Sequence, residues 1–533
     1  MKRSWLAAAV LLAACGDAGE TYDVVIQGGS LVDGTGAPAR EADVALKEGR
    51  IAAVGDLADA AATTRIDATG LVVAPGFIDV HSHSGPGLAS SGLSHAQPLL
   101  AQGLTTVFVN PDGGGPVDLV EQQAALLEHG LGVNAAQFIS HGSVRGEVLG
   151  SEDRAPSPEE LARMEELVRV AMENGAWGLS SGTFYAPGSF SKPDEIIALA
   201  RVVAEYGGAY ESHIRDESSY TVGVVAAVDE VIDVARQAGI PAVVTHIKAL
   251  GPPVWGTSTE IIEHIRAARE DEGLQVWADQ YPYEASATGL DAALLPRWAQ
   301  AGGRDALRER LADRATRARI RAEMEENLAR RGGADRIQFR RYTPDPAIEG
   351  RKLSDLATER GRPALDVALD LIEGGSASIV SFNMSEDDVR AFMVQPWTMT
   401  SSDGDLVPMN EGVPHPRSYG AFPRKIRRYV VEEGVVDLPQ AIHSMTGLPA
   451  QVFGIPDRGR IEPGLMADVV VFDLSAVRDA ATYTQPHQLA EGMVHVFVNG
   501  RPAIQDGRFT GGLHGEVLIH PRPGAEQEGD GPR

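Results

Sequence analysis

Residues 22–75 alternate short apolar runs with glycine-containing turns, as in YDVVIQGGSLVDGTG and ADVALKEGRIAAVG. A period of two predicts β-strands. The same texture returns across 451–512, in GRIEPGLMADVVVFD and VHVFVNGRPAIQDGRFTGG. Two β segments at opposite ends of a chain predict one small sandwich built from both. Between them, over 76–450, strand-like runs alternate with Ala/Leu/Glu/Arg-rich helical stretches. That alternation predicts an α/β fold, a (β/α)8 TIM-type barrel.

The barrel strands are sought among GFIDVHSH, GLTTVFVN, AAQFISHG, AWGLSSG, GAYESHI, PAVVTHIK, LQVWADQYPY, SIVSFNM and WTMTSSDG. Nine runs compete for eight places, and pattern alone does not choose among them. A charged stretch, RDALRERLADRATRARIRAEMEENLARR, predicts a helical insertion over about 291–350. It reads equally as a lid or as an outer helix with a solvated face. Residues 513–533 read as a disordered tail.

Length and charge narrow the classes. At 533 residues the chain suits a large barrel with an accessory domain. Its net charge of −27 excludes a general nucleic-acid surface, which needs basic residues facing phosphate. An anionic substrate would therefore need a local Arg or Lys. The start, MKRSWLAAAVLLAAC, has the form of a signal peptide over 1–14, two cations before a short apolar run. Leu12-Ala13-Ala14-Cys15 resembles a bacterial lipobox, with Cys15 as the lipidated residue. The expectation is a cell-envelope protein, lipid-anchored at the periplasmic face of the outer membrane because Gly16 follows. Cys15 is the only cysteine, so lipidation leaves no thiol for chemistry and no disulfide.

Candidate chemistry gathers at strand ends. His81 and His83 stand at i and i+2, on one face of a strand. His213, His246 and Asp403 also end strand-like runs. In a barrel those ends converge on one rim. Four imidazoles and a carboxylate arriving there are a ligand set suited to Zn²⁺. Asp112, in FVNPDGGG, sits just past another strand end. Its carboxylate either bridges two metals or serves a Pro-Asp-Gly turn.

APGFIDVHSHSG, NGAWGLSSGTFYAPG, ESHIRDE, THIKALG, SDG and HPRSYGAFPR together resemble the D-aminoacylase (N-acyl-D-amino-acid deacylase) branch of the metal-dependent amidohydrolase superfamily. The resemblance implies that His81, His83 and Asp403 hold one metal and His213 and His246 the other. The family places a cysteine where this chain has Asp112. It also implies one or two Zn²⁺, or another divalent ion, with Asp403 as the catalytic acid–base group. Lys248 and Tyr185 would bind the substrate's free carboxylate. Tyr283 would assist, and Arg417 would either hold an acidic side chain or lock a loop. His141, in HGSVR, recurs in the family and reads as a structural histidine. The implied activity is hydrolysis of N-acyl-D-amino acids, small molecules, to a carboxylate and a D-amino acid. Alternatives are a D-dipeptidase, a cyclic-amide (hydantoin- or dihydropyrimidine-type) hydrolase, or a non-catalytic binding lipoprotein.

Overall fold

The computed structural model describes residues 21–375 and 377–521. The signal segment and Cys15 lie outside the described residues. Eight parallel strands form the barrel: β1 Phe77–Asp79, β2 Leu104–Val109, β3 Asn134–Gln137 continued by Ile139–Ser140, β4 Gly178–Gly182, β5 Ala209–His213, β6 Ala242–Val244, β7 Val276–Gln280 and β8 Thr398–Thr400. Every residue of β2, β4, β5 and β7 is buried, as parallel strands covered on both faces must be. Helices cover the outside. In Val224–Ala238 the buried residues include Val224, Ala227, Val228, Val231, Ile232 and Ala235, one face at helical spacing. Gly239, at φ 67°, ends it in the left-handed conformation that glycine takes without penalty. Ser157 and Glu160 form a reciprocal capping box at the start of Pro158–Glu173.

The barrel closes between β8 and β1 just beyond the strands themselves. Asp403 N–H donates to His81 O at 2.9 Å, and His83 N–H donates to Gly404 O at 2.9 Å. The buried Asp79 carboxylate accepts the Ser402 N–H at 2.9 Å and the Ser402 hydroxyl. The two ligand-bearing strand ends are thus stitched together directly.

The run left without a place in the barrel is SIVSFNM. Its strand, Ser378–Ser381, pairs antiparallel with Ser286–Gly289 and Ile337–Arg341 in a separate three-stranded sheet. That sheet carries helices including Gly303–Ala312, Arg314–Arg330 and Ala364–Gly374, and it has its own core of Leu294, Ile320, Met324, Phe339, Leu369 and Ile379. The insertion therefore runs from about 286 to 381, wider than expected and mixed α/β rather than helical.

The small β domain has two sheets. In one, Thr21–Gln27 lies between Asp43–Lys47 and Ala61–Asp67. In the other, Val72–Pro75 from the first segment pairs antiparallel with Val469–Phe472 from the second. Residues 451–453 belong elsewhere: they end the helix Gly447–Phe453, and the Phe453 ring packs 4.7 Å from Phe108 of β2. The expected disordered tail also needs correction. Val517 and Leu518 add a strand beside Ala135 and Ala136, and Leu518 O accepts the Trp177 indole N–H at 2.8 Å.

Among the described residues, a buried lysine beside β8 lacks an acidic partner. Lys425, 3% exposed, donates only to the hydroxyls of Thr400 and Ser444, each at 2.8 Å. Burial lowers its pKa to about 7. In the unfolded chain a lysine holds its proton to about pH 10.4. Between those values the unfolded state binds more protons, so wild-type stability rises with pH. Lys425→Met removes that dependence. The variant is expected to be more stable than wild type at pH 7, and its advantage to shrink by about 2 kcal/mol by pH 9. Urea unfolding at both pH values checks this; an advantage independent of pH would contradict it.

Candidate metal centre

The barrel rim assembles the site from strand ends that are far apart in sequence. His81 and His83 follow β1, Asp112 follows β2, His213 ends β5, His246 follows β6 and Asp403 follows β8. Asp112 stands in the middle. Its Oδ1 lies 3.3 Å from His81 Nε2, 3.5 Å from His213 Nδ1 and 3.2 Å from His246 Nε2. Its Oδ2 lies 3.3 Å from His83 Nε2. Asp403 Oδ1 completes the ring at 3.2 Å from His83 Nε2. The Pro-Asp-Gly turn and the ligand position are therefore the same feature: the turn is what swings the carboxylate inward.

Two overlapping clusters result. His81, His83, Asp112 and Asp403 make one, and Asp112, His213 and His246 make the other, with the donor atoms within 4.8 Å of one another in each. Both ring nitrogens of His81 and of His213 are buried without a hydrogen-bond partner. Ligands on one tetrahedral zinc, with bonds of ~2.0–2.1 Å, stand about 3.3 Å apart. The donor spacing and the orphaned nitrogens fit divalent cations, with Asp112 common to both positions.

The backbone is bent to achieve this. Asp112, His246 and Asp403 all have positive φ, at 57°, 36° and 49°. Side chains other than glycine adopt such angles at a cost of about 1–3 kcal/mol each. Gly113, at φ 68°, packs so closely that an added Cβ would stand 2.7 Å from Gly182 N. The Asp112 loop is thus pressed onto the end of β4, and only glycine allows the approach.

Electrostatics hold the carboxylates ionised. Burial would raise the Asp112 carboxyl, but His81, His246 and His213 together hold it well below the usual range. Burial opposes ionisation of Asp403 too, and Arg417 with His83 outweighs it. Arg417 Nη1 lies 2.7 Å from Asp403 Oδ2, and its guanidinium lies 4.6 Å from the centre of the Tyr281 ring.

A supporting layer went unread in the sequence. Glu211 Oε2 approaches His81 Nδ1 at 3.6 Å, and burial raises the Glu211 carboxyl to about 7. Asp279 Oδ1 accepts the His246 N–H at 2.9 Å and the Ser401 hydroxyl at 2.5 Å. Glu217 reaches His246 Nδ1 at 3.2 Å and His213 Nε2 at 3.6 Å. Carboxylates behind histidine ligands fix ring orientation and raise basicity. The signal was available for Asp79 and Glu211, each two residues before a ligand histidine on the same strand face.

The substrate-facing residues divide. The metal cluster forms one side of a cavity of about 300 Å³, also lined by Phe184, Tyr185, Lys248, Tyr281, Thr288 and Arg417. Tyr185 bonds Thr288 Oγ1 at 3.2 Å, and burial, then Asp112 and Glu217, hold its phenol protonated far above the usual range. Lys248 faces the cavity but is ion-paired to Glu217 and donates to the His246 carbonyl oxygen at 2.8 Å. Tyr283 is a correction. It is 2% exposed, outside the cavity wall, with its ring against His415 and the Arg424 guanidinium. Tyr283 N–H bonds Tyr281 O at 3.0 Å, a turn that breaks strand alternation and leaves Tyr281 as the cavity tyrosine. His141 is structural: Glu195 binds it at 2.8 Å and also receives Arg145.

A family description of the amidohydrolases, Amidohydro_3, matches residues 64–504. This chain belongs to the amidohydrolase family. Within it, the chain is 36% identical over 526 residues to the D-aminoacylase of Alcaligenes xylosoxydans xylosoxydans, covering 94% of this chain and 98% of that protein. The crystal structure of the N-acyl-D-glutamate deacylase of Bordetella bronchiseptica, complexed with zinc and a phosphonate mimic of the tetrahedral intermediate, superposes with a TM-score of 0.80 at 35% identity, over 94% of this chain and 100% of that one. A D-aminoacylase structure described by its binuclear metal centre gives a TM-score of 0.80 at 33% identity, with the same coverage. These likenesses place this amidohydrolase in the D-aminoacylase branch.

Proposed function

We propose that this amidohydrolase cleaves the amide bond of N-acyl-D-amino acids, with zinc as its metal. The observation that carries the proposal is the pair of donor clusters sharing Asp112 beside a ligand-sized cavity, in a chain matching D-aminoacylase over nearly its whole length. When bound, the divalent ion supplies Lewis acidity, lowering the pKa of water and polarising the substrate carbonyl. The protein's own residues do the rest. Asp403, held ionised by Arg417, accepts the proton of the attacking water and delivers it to the amide nitrogen, so the amine leaves neutral. Arg417, beside Asp403, stands where it can meet a carboxylate attached close to the scissile bond. The protonated Tyr185 phenol, bonded to Thr288 Oγ1 in the cavity wall, is placed to donate a hydrogen bond, whereas the Tyr281 hydroxyl donates to Met384 Sδ and its ring faces the cavity. Phe184 and Leu250 contribute apolar surface to the cavity wall.

The test is a hydrolysis screen with added Zn²⁺ over N-acetyl-D-amino acids, their L enantiomers, D-dipeptides and hydantoins. Release of free D-amino acid from the first set is expected. Activity confined to L enantiomers, or to hydantoins, would overturn the proposal.

A further inference from the structure

The charged groups in the cavity wall can be matched one against another. The acids are Asp112, Glu217, Asp403 and Asp405, and the cations are Lys248, Arg331, Arg340 and Arg417. Lys248 pairs with Glu217, Arg340 with Asp405 at 2.7 Å, and Arg417 with Asp403 at 2.7 Å. Asp112 is claimed by the histidines. Arg331 is left over. Among the described residues it has no acidic partner. It is 1% exposed, its Nη1 donates to the Ser381 hydroxyl at 3.0 Å, and its Nε is buried without a partner.

The neighbourhood adds positive charge rather than neutralising it. Arg297 lies behind, its guanidinium 3.8 Å from the centre of the Phe184 ring, and it too lacks an acidic partner among the described residues. The Tyr220 ring is near both cations, its centre 5.9 Å from the Arg331 guanidinium and 6.0 Å from that of Arg297. The nearby acid, Asp216, is committed to its own loop, accepting the N–H groups of Ser218, Thr221 and Gly223 at 2.6–3.0 Å. A buried unpaired cation is costly. In a chain of net charge −27, acids to neutralise it were abundant.

We infer that Arg331 binds a second carboxylate on the substrate, beyond the one next to the scissile nitrogen. The inference rests on the deacylase proposal above. The α-carboxylate is three bonds from the reacting carbonyl carbon, so the cations adjoining the metal ligands, Arg417 and Lys248, are the ones placed for it. Arg331 touches none of those ligands and comes instead from the end of the inserted helix Arg314–Arg330. A planar guanidinium with free donors matches a carboxylate bidentately. The second carboxylate belongs either to the amino-acid side chain or to the far end of the acyl group.

The experiment uses the full-length, zinc-supplemented enzyme and two matched pairs: N-acetyl-D-glutamate against N-acetyl-D-glutamine, and N-succinyl-D-leucine against N-acetyl-D-leucine. A site built for a charged group rejects its uncharged analogue strongly. The expected result is a kcat/KM ratio of at least about 100 in one pair, and that pair names the source of the carboxylate. Arg331→Met should collapse that ratio toward one, mainly through KM, while Arg331→Lys keeps part of it. Ratios near one in both pairs for the wild type would overturn the inference, as would an Arg331→Met variant that slows all four substrates equally, the signature of a packing role. Failure to hydrolyse any N-acyl-D-amino acid would overturn the deacylase proposal and this inference with it; hydrolysis without charge preference would overturn this inference alone.

Discussion

Asp403→Asn is expected to lower kcat by about 10²–10⁴-fold while leaving KM within a few-fold of wild type. The side chain keeps its shape but can no longer take up a proton from water and return it to the departing nitrogen. Two features make this the largest single-residue effect on rate. Asp403 is paired to the buried Arg417 on one oxygen, at 2.7 Å, and faces the ligand His83 on the other, at 3.2 Å. That pairing keeps its carboxylate ionised at neutral pH. The variant also leaves Arg417 buried without a full counter-charge, which costs stability. Thermal melting should therefore show a lower Tm alongside the kinetic loss. Steady-state kinetics on an N-acyl-D-amino acid checks the prediction, and a rate close to wild type would remove Asp403 from the proton transfer.

The second large effect is at Asp112. Asp112→Ala removes the one side chain common to both donor clusters. His81, His213 and His246 all face its Oδ1, so its loss leaves each cluster a ligand short and brings those imidazoles together without an anion between them. Losing a carboxylate that merely supports a ligand costs 10–100-fold in metal affinity, so losing a shared ligand should cost at least about 100-fold. Activity should fall in parallel, and added Zn²⁺ should restore only part of it. If Asp112 were simply a turn residue, affinity and rate would both survive the change.

Much of this site was legible because metal ligands at strand ends obey simple spacing. His81 and His83 announce themselves by a two-residue step, and His213, His246 and Asp403 by recurrence at the ends of apolar runs. Asp112 was visible as a carboxylate past a strand, although only the packing of Gly113 against β4 shows why it points inward. What escaped was decided by tertiary context. Ser378–Ser381 is as apolar as a barrel strand, and periodicity cannot tell a parallel barrel position from an antiparallel sheet inside an insertion. Tyr281 and Tyr283 look equivalent until a backbone turn separates them. Arg331 sits at the end of a charged helix that reads as solvated surface; its burial depends on a sheet formed by segments about fifty residues later and forty-five earlier. Residues 517–518 look like tail because a two-residue strand carries almost no pattern of its own.

The central claim is that six side chains, drawn from residues 81 to 403, hold divalent metal through a shared aspartate. Its most direct test is metal titration of the metal-stripped wild-type chain and of Asp112→Ala under identical conditions, followed by elemental analysis of the refilled protein. Tight, saturable zinc binding by the wild type, lost or weakened by at least about 100-fold in the variant, is the expected result. Equal zinc binding by both proteins, or none by the wild type, would contradict it.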